Sequence, residues 1–251
     1  MSVAARFPSG ELELAGHLAL PPGTGLRRSS VVLCHGFPTA GAAAAYGAFP
    51  DLADRVASTL GWVAFSFCYR GVGESEGDFS LGGWLADIAA AVAHVRARPD
   101  VAEVWLAGFG TGGGLCLCAA AADPAVSGAA VLGAHADFDD WAGHPRRLLD
   151  HARRMGIIRD PWYPRSFDAW ARELAEIHPV RCADRLRSRP LLVVHGSEDD
   201  AVPVFDARVL GDAHAHADLR VIHGADHRLR DDPRAIAVLV GWLDRNGAAA
   251  G

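Results

Sequence analysis

The stretch LAGFGTGGG, Leu106 to Gly114, sits between a strand-like run and a run of small apolar residues. A serine at its centre would make an acyl-transfer nucleophile, but Gly110 stands there and carries no side chain. Other residues with chemical potential read more simply. Cys34 ends an apolar strand, while Cys116 and Cys118 fall in the first turns of a small-residue helix, so all three suit buried core positions. Thr111 opens that helix, where a capping hydrogen bond is the expected role. Ser75 reads as a turn residue. His214, His216, His223 and His227 with Asp226 bring nitrogen and oxygen donors, yet their spacing matches no compact zinc motif, and His214 and His216 read as solvated. His94 lies off the apolar stripe of its helix and is expected at the surface.

The elements around these residues form a regular series. Val3 to Leu20 reads as two extended segments around Pro8-Ser9-Gly10, an N-terminal hairpin at a sheet edge. From Ser29 onward, apolar runs alternate with helical periods: SSVVLCHG, GWVAFSF, EVWLAG, SGAAVLGAH, RPLLVVHG and ADLRVIHG as strands, with FPDLADRVASTL and the Trp84-Ile88-Val92-Val95 stripe among the helices. Strands this apolar, interleaved with helices, imply a mostly parallel sheet covered on both faces, an α/β fold. The last helix begins at Asp232-Pro233 and stops at Asn246-Gly247. The alternation breaks near 137–181, where Trp141, Trp162, Tyr163 and Trp170 cluster. The expected organisation is therefore a core of 1–136 and 182–247, a small helical cap at 137–181 and a tail at 248–251. The cap aromatics are candidates for the walls of a substrate pocket, or for simple packing.

Composition narrows the function. The chain has 251 residues, 50% of them hydrophobic, enough for one large domain. A formal net charge of -6 without a basic tract argues against nucleic acid as a partner. No leader pattern and no long uninterrupted apolar run is evident, so a cytoplasmic protein without a membrane partner is expected. Five cysteines in apolar contexts lack metal or disulfide spacing, and no cofactor is implied. A homo-oligomer is left open.

Five motifs in order resemble the α/β-hydrolase superfamily, and within it the serine aminopeptidase-like and acyl-peptidase-like esterases and peptidases. They are His35-Gly36-Phe37-Pro38, Tyr69-Arg70-Gly71-Val72-Gly73-Glu74-Ser75, the turn Gly108 to Gly112, His195-Gly196-Ser197-Glu198-Asp199, and Gly224-Ala225-Asp226-His227. The resemblance implies an α/β-hydrolase fold with a small-molecule acyl, ester or amide ligand. It makes His227 a general base oriented by Asp199, with the amides of Phe37 and Thr111 as an oxyanion hole. In that family the central turn residue is the nucleophile, so Gly110 departs from the pattern. Three readings follow. His227 activates water or serves as a general base on another carbonyl reaction; or the scaffold is a pseudoenzyme that binds a small acyl or aromatic ligand or a protein partner; or Gly110 is an engineered replacement in an ordinary serine hydrolase.

Overall fold

The computed structural model describes residues 1–23, 27–41 and 46–247; the expected tail at 248–251 lies outside them. In chain order the elements are β1 (Ser2–Ser9), β2 (Leu12–Ala19), β3 (Arg28–Cys34), α1 (Phe49–Leu60), β4 (Val63–Phe67), α2 (Leu81–Arg96), β5 (Val101–Phe109), α3 (Thr111–Ala122) and β6 (Val126–Leu132). These are followed by α4 (Asp139–Gly143), α5 (Pro145–Arg154), α6 (Phe167–Glu176), α7 (Pro179–Leu186), β7 (Leu191–Gly196), α8 (Val204–Asp212), β8 (Asp218–Ile222) and α9 (Pro233–Gly247).

The strands form one sheet of order β1-β2-β4-β3-β5-β6-β7-β8. Only the β1–β2 and β2–β4 pairings are antiparallel; the rest are parallel. Successive side chains of β3 point to opposite faces, and both faces are covered. Val32 and Cys34 pack with Trp84, Ile88 and Leu115 on one side, while Val31 and Leu33 pack with Trp105, Leu239 and Trp242 on the other. That double burial explains the unbroken apolar runs. The N-terminal hairpin turns later than expected: Pro8 and Ser9 belong to β1, Ser9 pairs with Leu12, and Gly10 turns the chain at φ 60°.

The four helices between β6 and β7 divide by what they touch. The chain after α5 is fastened to the loop before α2: Arg159 Nη2 donates to the Ser75 carbonyl at 2.6 Å, and the Phe79 amide donates to the Ile157 carbonyl at 2.9 Å. Farther on, Glu173 of α6 accepts from the Gly82 amide at 2.9 Å. Helix α7 instead packs on α3, against the body of the sheet. Two histidines lie deeper than expected. His94 is half-buried against Phe7 and Phe65, with ring centroids 5.4 and 5.2 Å away. His214 is 4% exposed, in the turn between α8 and β8.

Candidate active site

Strand β5 passes into helix α3 through a single residue, Gly110, at φ 53° and ψ −126°. A side-chain-bearing residue held in so sparsely populated a region is strained by about 1–3 kcal/mol, and glycine is not. Gly112 answers a different need, because a Cβ there would overlap the His35 carbonyl at the end of β3. The turn is thus pressed against the loop that carries Phe37. Gly110 also takes the N-cap position of α3, which leaves Thr111 as the first helical residue and the helix without a side-chain cap. The capping role expected for Thr111 is therefore not its role. The amides of Gly113 and Gly114 close on the Gly110 carbonyl at 2.9 and 3.3 Å, whereas the Thr111 amide precedes the first of these bonds and lies at the positive end of the helix.

The opposite wall is built from side chains. Asp199 lies in the loop after β7 and His227 in the loop after β8. The His227 Nδ1–H donates to Asp199 Oδ2 at 2.8 Å, and Asp199 Oδ1 accepts from the amides of Ala201 and Val202 at 3.0 and 2.8 Å. The fully buried His195 donates through Nε2 to the Val202 carbonyl at 2.9 Å and lies 3.3 Å from Asp199 Oδ2, the oxygen that accepts from His227. Burial opposes ionisation of Asp199, yet the bonds from His195, His227 and the Val202 amide outweigh it and hold the carboxyl well below the usual range. For His195, burial likewise opposes charge, and the Asp199 and Val202 bonds overcome it to raise its pKa.

With Nδ1 engaged by Asp199, the other ring nitrogen of His227, Nε2, faces the pocket. A Cβ built on Gly110 would stand 3.3 Å from that nitrogen, so the two motifs converge on one point. The pocket there encloses about 380 Å³ and is lined by Gly36, Phe37, Phe109, Gly110, His227 and their neighbours. Thr111, the residue after Gly110, is 2% exposed and is not among the residues that line it.

The four cap aromatics do not line this pocket. Trp141 reaches one of its lining residues, its ring 5.4 Å from that of Phe37. Trp162 is 76% exposed and Trp170 is 3% exposed, its indole N–H donating to the Phe79 carbonyl at 3.0 Å. Tyr163 is half-buried beside Arg153, which donates to its carbonyl at 3.1 Å. Trp170 packs a short amphipathic helix onto the body, which is the simpler of the two roles expected.

Sequence reasoning passed over His135 and the side chain of His195. His135 follows β6, next to the pocket, and burial, reinforced by the charge of His227, lowers its pKa to about 4. Both histidines directly follow apolar runs that become strands of the parallel sheet, as His35 does, and that position was the available signal. His35 serves the loop itself, since its Nδ1–H donates to the Gly36 carbonyl at 2.8 Å and its Nε2 accepts from the Tyr69 amide at 3.4 Å. Asp226 is taken up by Arg228 Nη2, 2.9 Å away. Among the described residues no cluster of His, Cys, Asp or Glu is arranged to hold a metal. Nor is any helix among them long and apolar enough to cross a membrane.

Comparisons agree with this architecture. Residues 31–239 match the model of a family described as "Alpha/beta hydrolase family". The uncharacterized protein YfhR of Salmonella typhimurium is 32% identical over 160 residues, 58% of this chain and 48% of that protein. The human mitochondrial palmitoyl-protein thioesterase ABHD10 is 26% identical over 199 residues, 71% of this chain and 61% of its own. The chain thus spans between about half and three fifths of these relatives. Among solved structures, Est1E from Butyrivibrio proteoclasticus superposes with a TM-score of 0.72 at 20% identity, covering 96% of both chains. Coverage of most of the chain by the family model, together with the eight-stranded sheet and its flanking helices, makes this protein a member of the α/β-hydrolase family.

Proposed function

We propose that this protein is a hydrolase of small acyl compounds in which His227, oriented by Asp199, activates water directly. The observation that carries the reading is the intact Asp199–His227 bond, 2.8 Å long, with Nε2 aimed at the space over Gly110. A water in that space fits between the base and a carbonyl carbon. The His227 Nε2 takes its proton, the water oxygen bonds to the carbonyl carbon, and the oxyanion accepts hydrogen bonds from the amides of Phe37 and Thr111. Collapse of the tetrahedral species breaks the bond to the leaving group, which receives the proton from His227, and no acyl-enzyme forms. Gly110 stands where the family's nucleophilic serine would be. An oxyanion hole and binding alone still provide roughly 10³-fold to 10⁴-fold acceleration over water.

The substrate class is an ester, thioester or amide. The order of the motifs, like that of serine aminopeptidase-like and acyl-peptidase-like enzymes, supports it, as does likeness to a protein named a palmitoyl-protein thioesterase. A net charge of -6 fits a small molecule better than nucleic acid.

One observation favours a second reading, a binding protein that breaks no bond: glycine relieves the backbone strain of the turn, which is advantageous once no nucleophile is required. The test compares the natural chain, His227→Ala and Gly110→Ser on a panel of activated esters, thioesters and aminoacyl amides. Turnover by the natural chain that vanishes in His227→Ala supports the water-activating hydrolase. Silence from the natural chain, with activity appearing only in Gly110→Ser, supports the binding protein.

A further inference from the structure

Helix α5, PRRLLDHARR, carries four arginines, and they divide by face. Arg146 lies over the ring of Phe167 at 4.8 Å, and Arg153 donates to the carbonyl of Tyr163 at 3.1 Å. Arg147 and Arg154 form no ion pair or hydrogen bond among the described residues. Together with His144 and His151 they stand at positions 144, 147, 151 and 154, one stripe of helical spacing. That stripe, with Trp141 and Asp140, lines a groove of about 260 Å³. Burial and then the charges of Arg154 and Arg147 lower the pKa of His151, so both guanidiniums act on the same spot. Asp140, at the rim, faces His144 at 3.5 Å, and Asp150, on the same helix between Arg147 and Arg154, forms no ion pair with either among the described residues.

The groove adjoins the reaction pocket. The ring of Phe37 stacks on His151 with centroids 5.5 Å apart and meets Trp141 edge-on at 5.4 Å, while Phe37 also lines the pocket over Gly110. We propose that this groove is an anion subsite that takes the carboxylate or phosphate at the far end of the compound whose carbonyl lies at Gly110. Two unpaired guanidiniums supply the charge and the forked donors, the imidazoles supply further N–H groups, and Trp141 supplies a wall for the adjoining carbon chain. The placement of the carbonyl rests on the hydrolase reading; the anion site itself does not.

Two measurements separate them. Titration calorimetry with inorganic pyrophosphate and with glutarate, at low salt, is expected to show one site per chain for at least one anion. Affinity should fall tenfold or more in Arg147→Gln/Arg154→Gln and stay unchanged in His227→Ala. Both arginines are exposed and make no packing bond, so the double variant keeps the fold. The second measurement pairs 4-nitrophenyl butyrate with mono-4-nitrophenyl glutarate: the double variant is expected to lose tenfold or more in kcat/KM on the charged ester and little on the neutral one. No binding of either anion, or binding that the double variant leaves unchanged, overturns the subsite. Anion binding that disappears in the double variant, with neither ester hydrolysed, upholds the subsite and counts against the hydrolase reading alone.

Discussion

The two walls of the reaction pocket are made of different material. The wall at the end of β5 is backbone: Gly108 lets the first turn of α3 close against the end of β5, and Gly110 and Gly112 bring the main chain within reach of the His35-Gly36-Phe37 loop and offer amides. The wall after β7 and β8 is side chain, a buried carboxylate flanked by two imidazoles and two amides. A backbone wall costs little to maintain, since its donors are present in any sequence that can make the turn. A buried, ionised carboxylate costs several kcal/mol unless every bond to it is made. The contrast teaches that the costly half of the machinery is fully assembled, while the half that could have carried a nucleophile is reduced to amides.

The largest expected effect tests the side-chain wall. His227→Ala should lower kcat/KM on an activated ester by about 10²-fold to 10⁴-fold, the range for loss of a general base, with an unchanged circular dichroism spectrum. A fall of less than threefold would break the proposed asymmetry.

A stability effect follows on the backbone wall. Burial holds His35 at a pKa of about 4, below the ordinary 6.5, so the folded state stays neutral while the unfolded chain binds a proton. Stability contributed by keeping this ring neutral is complete above pH 6.5 and lost as pH falls toward 4, by about 3 kcal/mol at the lower end. Calorimetric melting from pH 7 to pH 4 should show this decline, and His35→Gln should remove about half of it while lowering the melting temperature at pH 7, since His135, also held at about 4 by burial, adds a loss in the same window.

Gly110→Ala sharpens the comparison at the turn. It should destabilise the fold by about 1–3 kcal/mol in urea titrations through backbone strain. It should also abolish turnover, because the new Cβ would stand 3.3 Å from His227 Nε2, where the water belongs. The smallest effect is expected at His195, which positions Asp199 without facing the pocket. His195→Gln should reduce kcat about tenfold, or roughly 1.4 kcal/mol, with KM unchanged.

Much of this arrangement was legible in the sequence because it depends on local patterns. Apolar runs of strand length, such as VVLCHG and LLVVHG, are apolar throughout because both faces of a parallel strand are buried. The loops at the strand ends carry their residues in a fixed order, and the structure brings Gly110, Asp199 and His227 together. The cap was less legible. Trp141, Trp162, Tyr163 and Trp170 are equally aromatic in the sequence, but only tertiary packing decides that Trp170 is buried, Trp162 exposed and Trp141 turned toward Phe37. The same applies to α5, where a run of basic residues hides the division into two faces. His135 and His195 were missed because their importance lies in long-range neighbours, not in their own sequence context.

The strand order has a consequence for chains cut short. Strands β7 and β8 join the sheet at one end, beside β6, and leave the ribosome after everything that builds the backbone wall. A chain that stops before Leu191 lacks Asp199 and His227 and also leaves the edge of β6, VSGAAVL, without its neighbour. An apolar, unpaired edge invites pairing with other chains. Deleting the last two strands to remove the dyad would therefore produce aggregates, and the dyad is best silenced by substitution within the full chain.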